Sequence, residues 1–332
     1  MSLDTPERKP HDRLAEALAD DMVAVGEVIA SRMASEHAPR IPEVTKHLVD
    51  AGGKRLRPLL TLAAARMCGY DGDDHIKLAA TVEFIHTATL LHDDVVDESG
   101  QRRGRPTANL LWDNKSSVLV GDYLFARAFQ LMVETENLRV LNILSNAAAT
   151  IAEGEVLQLT AAQNLGTTED IYRQVVRGKT AALFSAATEV GAVIAGRSEL
   201  EVQALFDYGD AIGIAFQIVD DLLDYWGGTG IGKNVGDDFR ERKLTLPVIK
   251  AVTKANAEER AFWVRTIEKG NQEDGDLEHA IMLLNKHETL MDTRAEAHAW
   301  IAKARQALVT MPEHPIRDML DDLADYIVAR VH

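Results

Sequence analysis

Apolar side chains recur at three- and four-residue steps along almost the whole chain. Leu14, Leu18, Met22, Val25 and Ile29 set this rhythm and predict an amphipathic first helix. Pro39 and Pro42 punctuate the next stretch, and Ala51-Gly52-Gly53-Lys54 reads as a loop before a helix with Pro58 near its start. That helix is expected to end around Gly69 to Gly72. A long helical pattern then runs from near Asp74 to Asp97, followed by a basic loop, Gly100 to Pro106. Further helices are predicted at about 115–134, 137–162, 168–195 and 198–227. Gly227 to Arg242 is rich in glycine and charge and reads as an ordered or lid-like loop. Helical patterns resume at about Leu244–Thr253, 257–268, 274–288, 289–310 and 314–331. No sustained two-residue alternation predicts a strand. The expectation is an all-α fold: a flexible tail over residues 1–12, then a single all-helical domain over 13–332.

Composition narrows the function. Hydrophobic residues make up 46% of 332 residues and aromatics only 5%, with Ala and Leu abundant, which favours helix. The net charge of -16 repels phosphate backbones, so a nucleic-acid partner is not expected. Small phosphorylated substrates stay open, provided local Arg and Lys or bound cations offset that charge. No run of about 18 uncharged apolar residues predicts a membrane span. No signal core is seen, and the single cysteine, Cys68, lies in an apolar run and reads as a buried small hydrophobe. A reducing, cytoplasmic setting is expected.

Two acidic clusters interrupt the apolar pattern. Asp93-Asp94-Val95-Val96-Asp97 and Asp220-Asp221-Leu222-Leu223-Asp224 both read DDxxD, each at the C-terminal end of an otherwise apolar helix. Positions four apart share a helix face, about 6 Å apart along the axis. Like charges there destabilise a helix, and so does negative charge near its C-terminus. Hard cations held by carboxylate oxygen would compensate, and magnesium takes one or two carboxylates plus waters and substrate phosphates.

Basic groups cluster nearby. Lys54 and Arg57 are spaced to face one way, whereas Arg55 points elsewhere; Arg102, Arg103 and Arg105 come after the first acidic cluster; Lys233 and Lys243 come after the second. His86 lies seven residues before Asp93, and Gln217 lies three before Asp220, each on the face of its cluster. Lys179-Thr180 breaks an apolar helix, and a cation there must snorkel or meet an anion. The combination fits a metal-bridged diphosphate.

The chain resembles the trans-isoprenyl diphosphate synthases, and among them the bacterial long-chain octaprenyl and decaprenyl synthases, from about residue 14 to the C-terminus. The stretch from Glu83 to Ser99 looks like the family's first aspartate-rich motif, and that from Gly213 to Tyr225 like its second. The resemblance implies magnesium, three ions per site, held by Asp93, Asp94, Asp97, Asp220, Asp221 and Asp224. It implies isopentenyl diphosphate on Lys54, Arg57, His86 and Arg103. It implies an allylic diphosphate, such as farnesyl diphosphate, on Arg102, Lys179, Thr180, Gln217, Lys233 and Lys243, with Lys179, Gln217 and Lys233 acting in catalysis. A homodimer and a quinone side-chain product are implied as well. One departure is Arg242, where the family usually has glycine before the lysine of Lys243-Leu244-Thr245-Leu246-Pro247.

Short-chain members carry a bulky aromatic about five residues before the first aspartate, or an insertion in the motif. Here Ala88 and Thr89 stand there and nothing is inserted, so an open tunnel is expected, its floor set by Phe129, Leu131 or Met132. Rival readings are a short-chain synthase and a non-catalytic partner subunit. A terpene cyclase would replace the second DDxxD, and a head-to-head synthase would space its acids as DxxxD. A scaffold would not need the cations in register with the carboxylates.

Overall fold

In a computed structural model the chain is almost wholly helical, and residues 8–50, 52–102, 104–226 and 235–330 are described. The helices are α1 (Pro10–Ala17), α2 (Ala19–Met33), α3 (Arg40–Asp50), α4 (Leu56–Met67) and α5 (Asp74–Val96). A two-residue hairpin, β1 (Gln101–Arg102) with β2 (Arg105–Pro106), precedes α6 (Ala108–Leu111), α7 (Asn114–Val133) and α8 (Leu138–Ala161). Then come α9 (Glu169–Val176), a π-turn at Arg177–Ala181, α10 (Ala182–Ile194) and α11 (Glu199–Trp226). The C-terminal third holds α12 (Asp237–Arg240), α13 (Leu246–Lys254), α14 (Ala257–Trp263) with a π-turn at Val264–Glu268, α15 (Asp276–Lys286), α16 (Thr289–Leu308) and α17 (Pro315–Val328).

The chain forms two compact units. One comprises Met1–Ala148, Leu183–Phe206 and Leu308–Leu323; the other comprises Ala149–Ala182, Asp207–Ala307 and Ala324–His332. In the first, α4 is buried along most of its length and α5 along one side, including Leu59, Leu60, Leu62, Phe84, Ile85 and Leu91. Each such side chain contributes about 2 kcal/mol when fully buried. Gly121 lets α7 close on α5, because a Cβ there would stand 2.3 Å from His92 Nε2. Cys68 is buried, and that burial pushes its thiol up to about 11, so it packs as a neutral hydrophobe.

Local chemistry sets several helix starts. Asp113 accepts the Ser116 N–H at 2.6 Å, Thr168 accepts that of Ile171 at 3.3 Å, and Asn256 with Glu259 forms a reciprocal capping box.

Four details differ from the periodic reading. Helix α1 starts at Pro10, inside the expected tail, with proline where a missing N–H costs nothing. The first helix divides at Leu18 (φ -117°, ψ 23°), although Leu14, Leu18, Val25 and Ile29 all remain buried. Pro42 lies in the first turn of α3, where its ring is tolerated, and does not break the segment. The basic loop is the β1–β2 hairpin, turned through Gly104 at φ 73°. No described helix is long and apolar enough to cross a membrane.

Candidate active site

The first acidic cluster closes α5. Asp93 is half-buried, Asp94 fully buried, and Asp97 is the exposed C-cap, its N–H still bonded to the Asp93 carbonyl at 2.8 Å. Arg102 reaches back from the hairpin and donates Nε and Nη2 to Asp94 Oδ1 at 2.9 and 2.8 Å. Asn109 adds an amide donor to the Asp94 carbonyl at 3.2 Å. A cation and a donor thus meet the helix C-terminus, where the sequence alone showed only unfavourable charge. Arg103 lies outside the described residues.

The second cluster sits in the last two turns of α11. Asp220 is half-buried and accepts from Arg330 Nη2 at 3.1 Å. Asp221 is 3% exposed and takes two side-chain donors: Tyr172 Oη at 2.5 Å and Gln217 Nε2 at 2.9 Å. Burial pushes its carboxyl up to about 6, against the pull of those two hydrogen bonds and of the Leu246 N–H. Burial, and then the charge of Asp221, raise the Tyr172 phenol well above its ordinary range. Asp224, also buried, accepts the backbone N–H groups of Asp237 and Asp238, both at 3.1 Å, and caps α12. Its carbonyl accepts the Gly236 N–H at 2.8 Å.

Lys179 and Thr180 occur on the π-turn between α9 and α10, a local irregularity often found at functional sites. Two glycines make it fit against α8. A Cβ on Gly154 would lie 2.7 Å from the Lys179 nitrogen, and one on Gly178 would lie 2.9 Å from the Gly154 Cα. This close crossing brings Lys179 Nζ within 2.9 Å of Glu155 Oε2. Thr180 Oγ1 donates to Gln217 Oε1 at 3.0 Å. Lys179, Thr180, Gln217, Asp221, Asp238 and Lys243 line one cavity of about 160 Å³. Four groups foreseen for the allylic diphosphate therefore do meet, while Lys233 lies outside the described residues. Gln217 turns its amide to Asp221, not to Asp220 or Asp224 as its helical phase foretold; a glutamine reaches most directly one turn ahead.

Arg242 occupies its loop with φ 58°, a left-handed conformation that suits the family's glycine. The Arg242 side chain lies over Gly270, where a Cβ would stand 2.4 Å from Nη1. Lys243 pairs with Glu241 at 2.6 Å.

In the first unit, Lys54 is exposed in the loop after Gly52 and Gly53, both with positive φ. Arg57 Nη1 is 3.4 Å from His86 Nε2, and its guanidinium covers the Phe184 ring at 4.4 Å. Ala88 and Met132 are buried, and the half-buried Thr89 donates its hydroxyl to the His86 carbonyl at 2.8 Å.

A model of the polyprenyl synthetase family matches residues 38–284. The chain belongs to that family. It is thereby a prenyltransferase of isoprenoid biosynthesis. The octaprenyl diphosphate synthase of Escherichia coli strain K12 is 43% identical over 320 residues, which cover 96% of this chain and 98% of that one. A decaprenyl diphosphate synthase crystal structure from Rhodobacter capsulatus shares 74% of its sequence, with a TM-score of 0.95 over 97% of this chain and 99% of that one. A polyprenyl synthase from Caulobacter crescentus, crystallised with calcium and isoprenyl diphosphate, is 49% identical with a TM-score of 0.92, covering 98% and 100%.

Prenyl synthases of this family depend on magnesium, and the donors here suit that ion. Asp93, Asp97 and Asp220 present hard carboxylate oxygens at half-buried or exposed positions. Among the described residues no three acidic, histidine or cysteine groups converge to enclose an ion. A magnesium ion that takes one or two carboxylates and completes its shell with water and phosphate needs no such cage. Asp221 and Asp224 instead spend their oxygens on Tyr172 with Gln217 and on α12, while Asp94 gives Oδ1 to Arg102 and keeps a buried Oδ2 without a hydrogen-bond partner among the described residues.

Sequence reasoning missed Tyr172, Glu155 and Arg330. Each meets its partner across at least 24 residues of chain. Only the Gly154-Glu155 and Gly178-Lys179 pairs, glycine inside helix beside charge, carried a signal that could have been read.

Proposed function

We propose that this chain extends an allylic diphosphate by repeated 1'-4 condensation with isopentenyl diphosphate, giving an all-trans product of octaprenyl to decaprenyl length. The observation that carries this reading is the cavity where Lys179, Thr180, Gln217 and Lys243 gather beside the second acidic cluster. Fixed cations and amide donors there suit a diphosphate leaving group, whose charge grows as its bond to carbon breaks.

Asp93, Asp97 and Asp220 would hold magnesium, three ions in all, with Asp94, Asp221 and Asp224 supporting them. When bound, the metal supplies positive charge to the diphosphate oxygens. Lys179, Lys233 and Lys243, with Arg102, add fixed charge, and Gln217 donates an N–H. Lys54, Arg57, His86 and Arg103 hold the diphosphate of isopentenyl diphosphate. The allylic carbon–oxygen bond breaks, the isopentenyl double bond then attacks the resulting allylic cation, and a proton leaves to the departed diphosphate. No side-chain nucleophile is required.

Ala88 supports the long product. It is fully buried and small at the position where short-chain members carry an aromatic ring. Thr89 and Met132 are the further length-setting candidates. A tail of this length suits a quinone. A homodimer in the cytoplasm is the expected form, supported by the exposed Leu119, Phe129 and Val133 on α7.

Incubation with farnesyl diphosphate, labelled isopentenyl diphosphate and magnesium, followed by sizing of the dephosphorylated products, tests the reading. A ladder ending at one product of forty to fifty carbons is expected. An end point of fifteen or twenty carbons would overturn the length argument from Ala88. No product with any primer would favour the partner-subunit reading.

A further inference from the structure

Resting on the proposed prenyl-transfer function, we infer that Tyr172 is a positioning residue, whose hydroxyl fixes the orientation of the Gln217 amide and so the donor offered to the allylic diphosphate. Tyr172 is 6% exposed on α9, well outside both acidic motifs, and nothing in the proposed chemistry uses it.

Four side chains form one row. Tyr172 Oη donates to Asp221 Oδ2 at 2.5 Å, Gln217 Nε2 donates to Asp221 Oδ1 at 2.9 Å, and Thr180 Oγ1 donates to Gln217 Oε1 at 3.0 Å. Gln217 faces Asp221 with its nitrogen, and its amide oxygen is left for Thr180. An amide nitrogen carries two hydrogens. One goes to Asp221, and the other is left for the cavity that Gln217 lines. The Thr180 hydroxyl spends its one hydrogen on Gln217 and offers the same cavity lone pairs alone. The polarity of both cavity groups is thus set from the buried end of the row.

Tyr172 closes that end. Removing its hydroxyl leaves Asp221 Oδ2 buried without this donor, a state native structures avoid. The carboxylate then keeps only Gln217 and a backbone N–H from Leu246, and its terminal torsion is soft. It turns, and the amide turns with it.

A double-mutant cycle tests this. The variants Tyr172→Phe, Gln217→Ala and the pair are assayed per active site, with each substrate varied at saturation of the other. Tyr172→Phe should lower kcat/KM for the allylic primer about tenfold, the scale of one hydrogen bond to a charged group, and leave KM for isopentenyl diphosphate unchanged. In the Gln217→Ala background the same substitution should cost nothing further. Equal losses in both backgrounds would overturn the inference, as would no loss in the parent or a matching rise in KM for isopentenyl diphosphate. Should Tyr172→Phe not fold, the cycle is run with Asp221→Asn, the link through which Tyr172 reaches Gln217. Independence from Gln217→Ala would then overturn it equally. An unsubstituted protein without turnover would instead sink the proposed function.

Discussion

Asp93 to Asp97 closes its helix, whereas Asp220 to Asp224 lies within a helix that continues to Trp226. The two clusters share a sequence pattern, and their first two positions behave alike. Asp93 and Asp220 are half-buried, while Asp94 and Asp221 are buried and held by protein donors. The third positions part company. Asp97 is exposed at the helix end, and Asp224 is buried and spent on the start of α12. A repeated motif therefore does not carry six equivalent carboxylates. The segment downstream of each helix decides the use of its last aspartate.

The largest expected effect separates the first positions from the rest. Asp93→Ala should fold with an unchanged thermal midpoint and lose on the order of a thousandfold in kcat; near-normal turnover would remove the metal assignment. Next comes support of the buried second position. Arg102→Met strips Asp94 of its cation and should cost about 2 kcal/mol in urea unfolding, because Asp94 is fully enclosed while Arg102 is partly in solvent. No destabilisation would show that the hairpin does not hold this carboxylate. The third positions should then split. Asp224→Ala loses a helix cap, costing about 1 kcal/mol, whereas Asp97→Ala should leave stability within about 0.5 kcal/mol of the parent. Equal costs would erase the contrast between the two third positions.

The smallest effect concerns a carboxylate outside both clusters. Lys286, then the Asn256 N–H and His287, hold Glu259 down at about 2. A depressed folded-state value means its contribution is complete above the ordinary carboxylate range and disappears as pH falls toward 2. The stability gap between Glu259→Gln and the parent should therefore narrow across that window. A constant gap would locate the effect in packing.

Much of this was legible in the order of residues. Helix spans emerge from apolar periodicity, and both acidic clusters announce themselves by four-residue spacing. Arg242 was visible as a replacement for glycine, but its left-handed backbone was not, since an arginine gives no hint of positive φ. The partners of the carboxylates were hidden for a different reason. Arg102 is eight residues from Asp94 and emerges from a hairpin too short to show alternation, while Tyr172 is 49 residues from Asp221. Helical phase says which face a side chain occupies and is silent on the groups that the fold brings to that face.

The contact between Gly154 and Gly178 has a consequence for the entropy of substrate capture. Where two backbones touch, no side chain lies between them to sample rotamers. The Cα of Lys179 therefore keeps a nearly fixed distance from the turn of α8 that carries Glu155, and only the lysine's own torsions remain to be frozen when an anion arrives. Folding has already removed the backbone's share of that disorder.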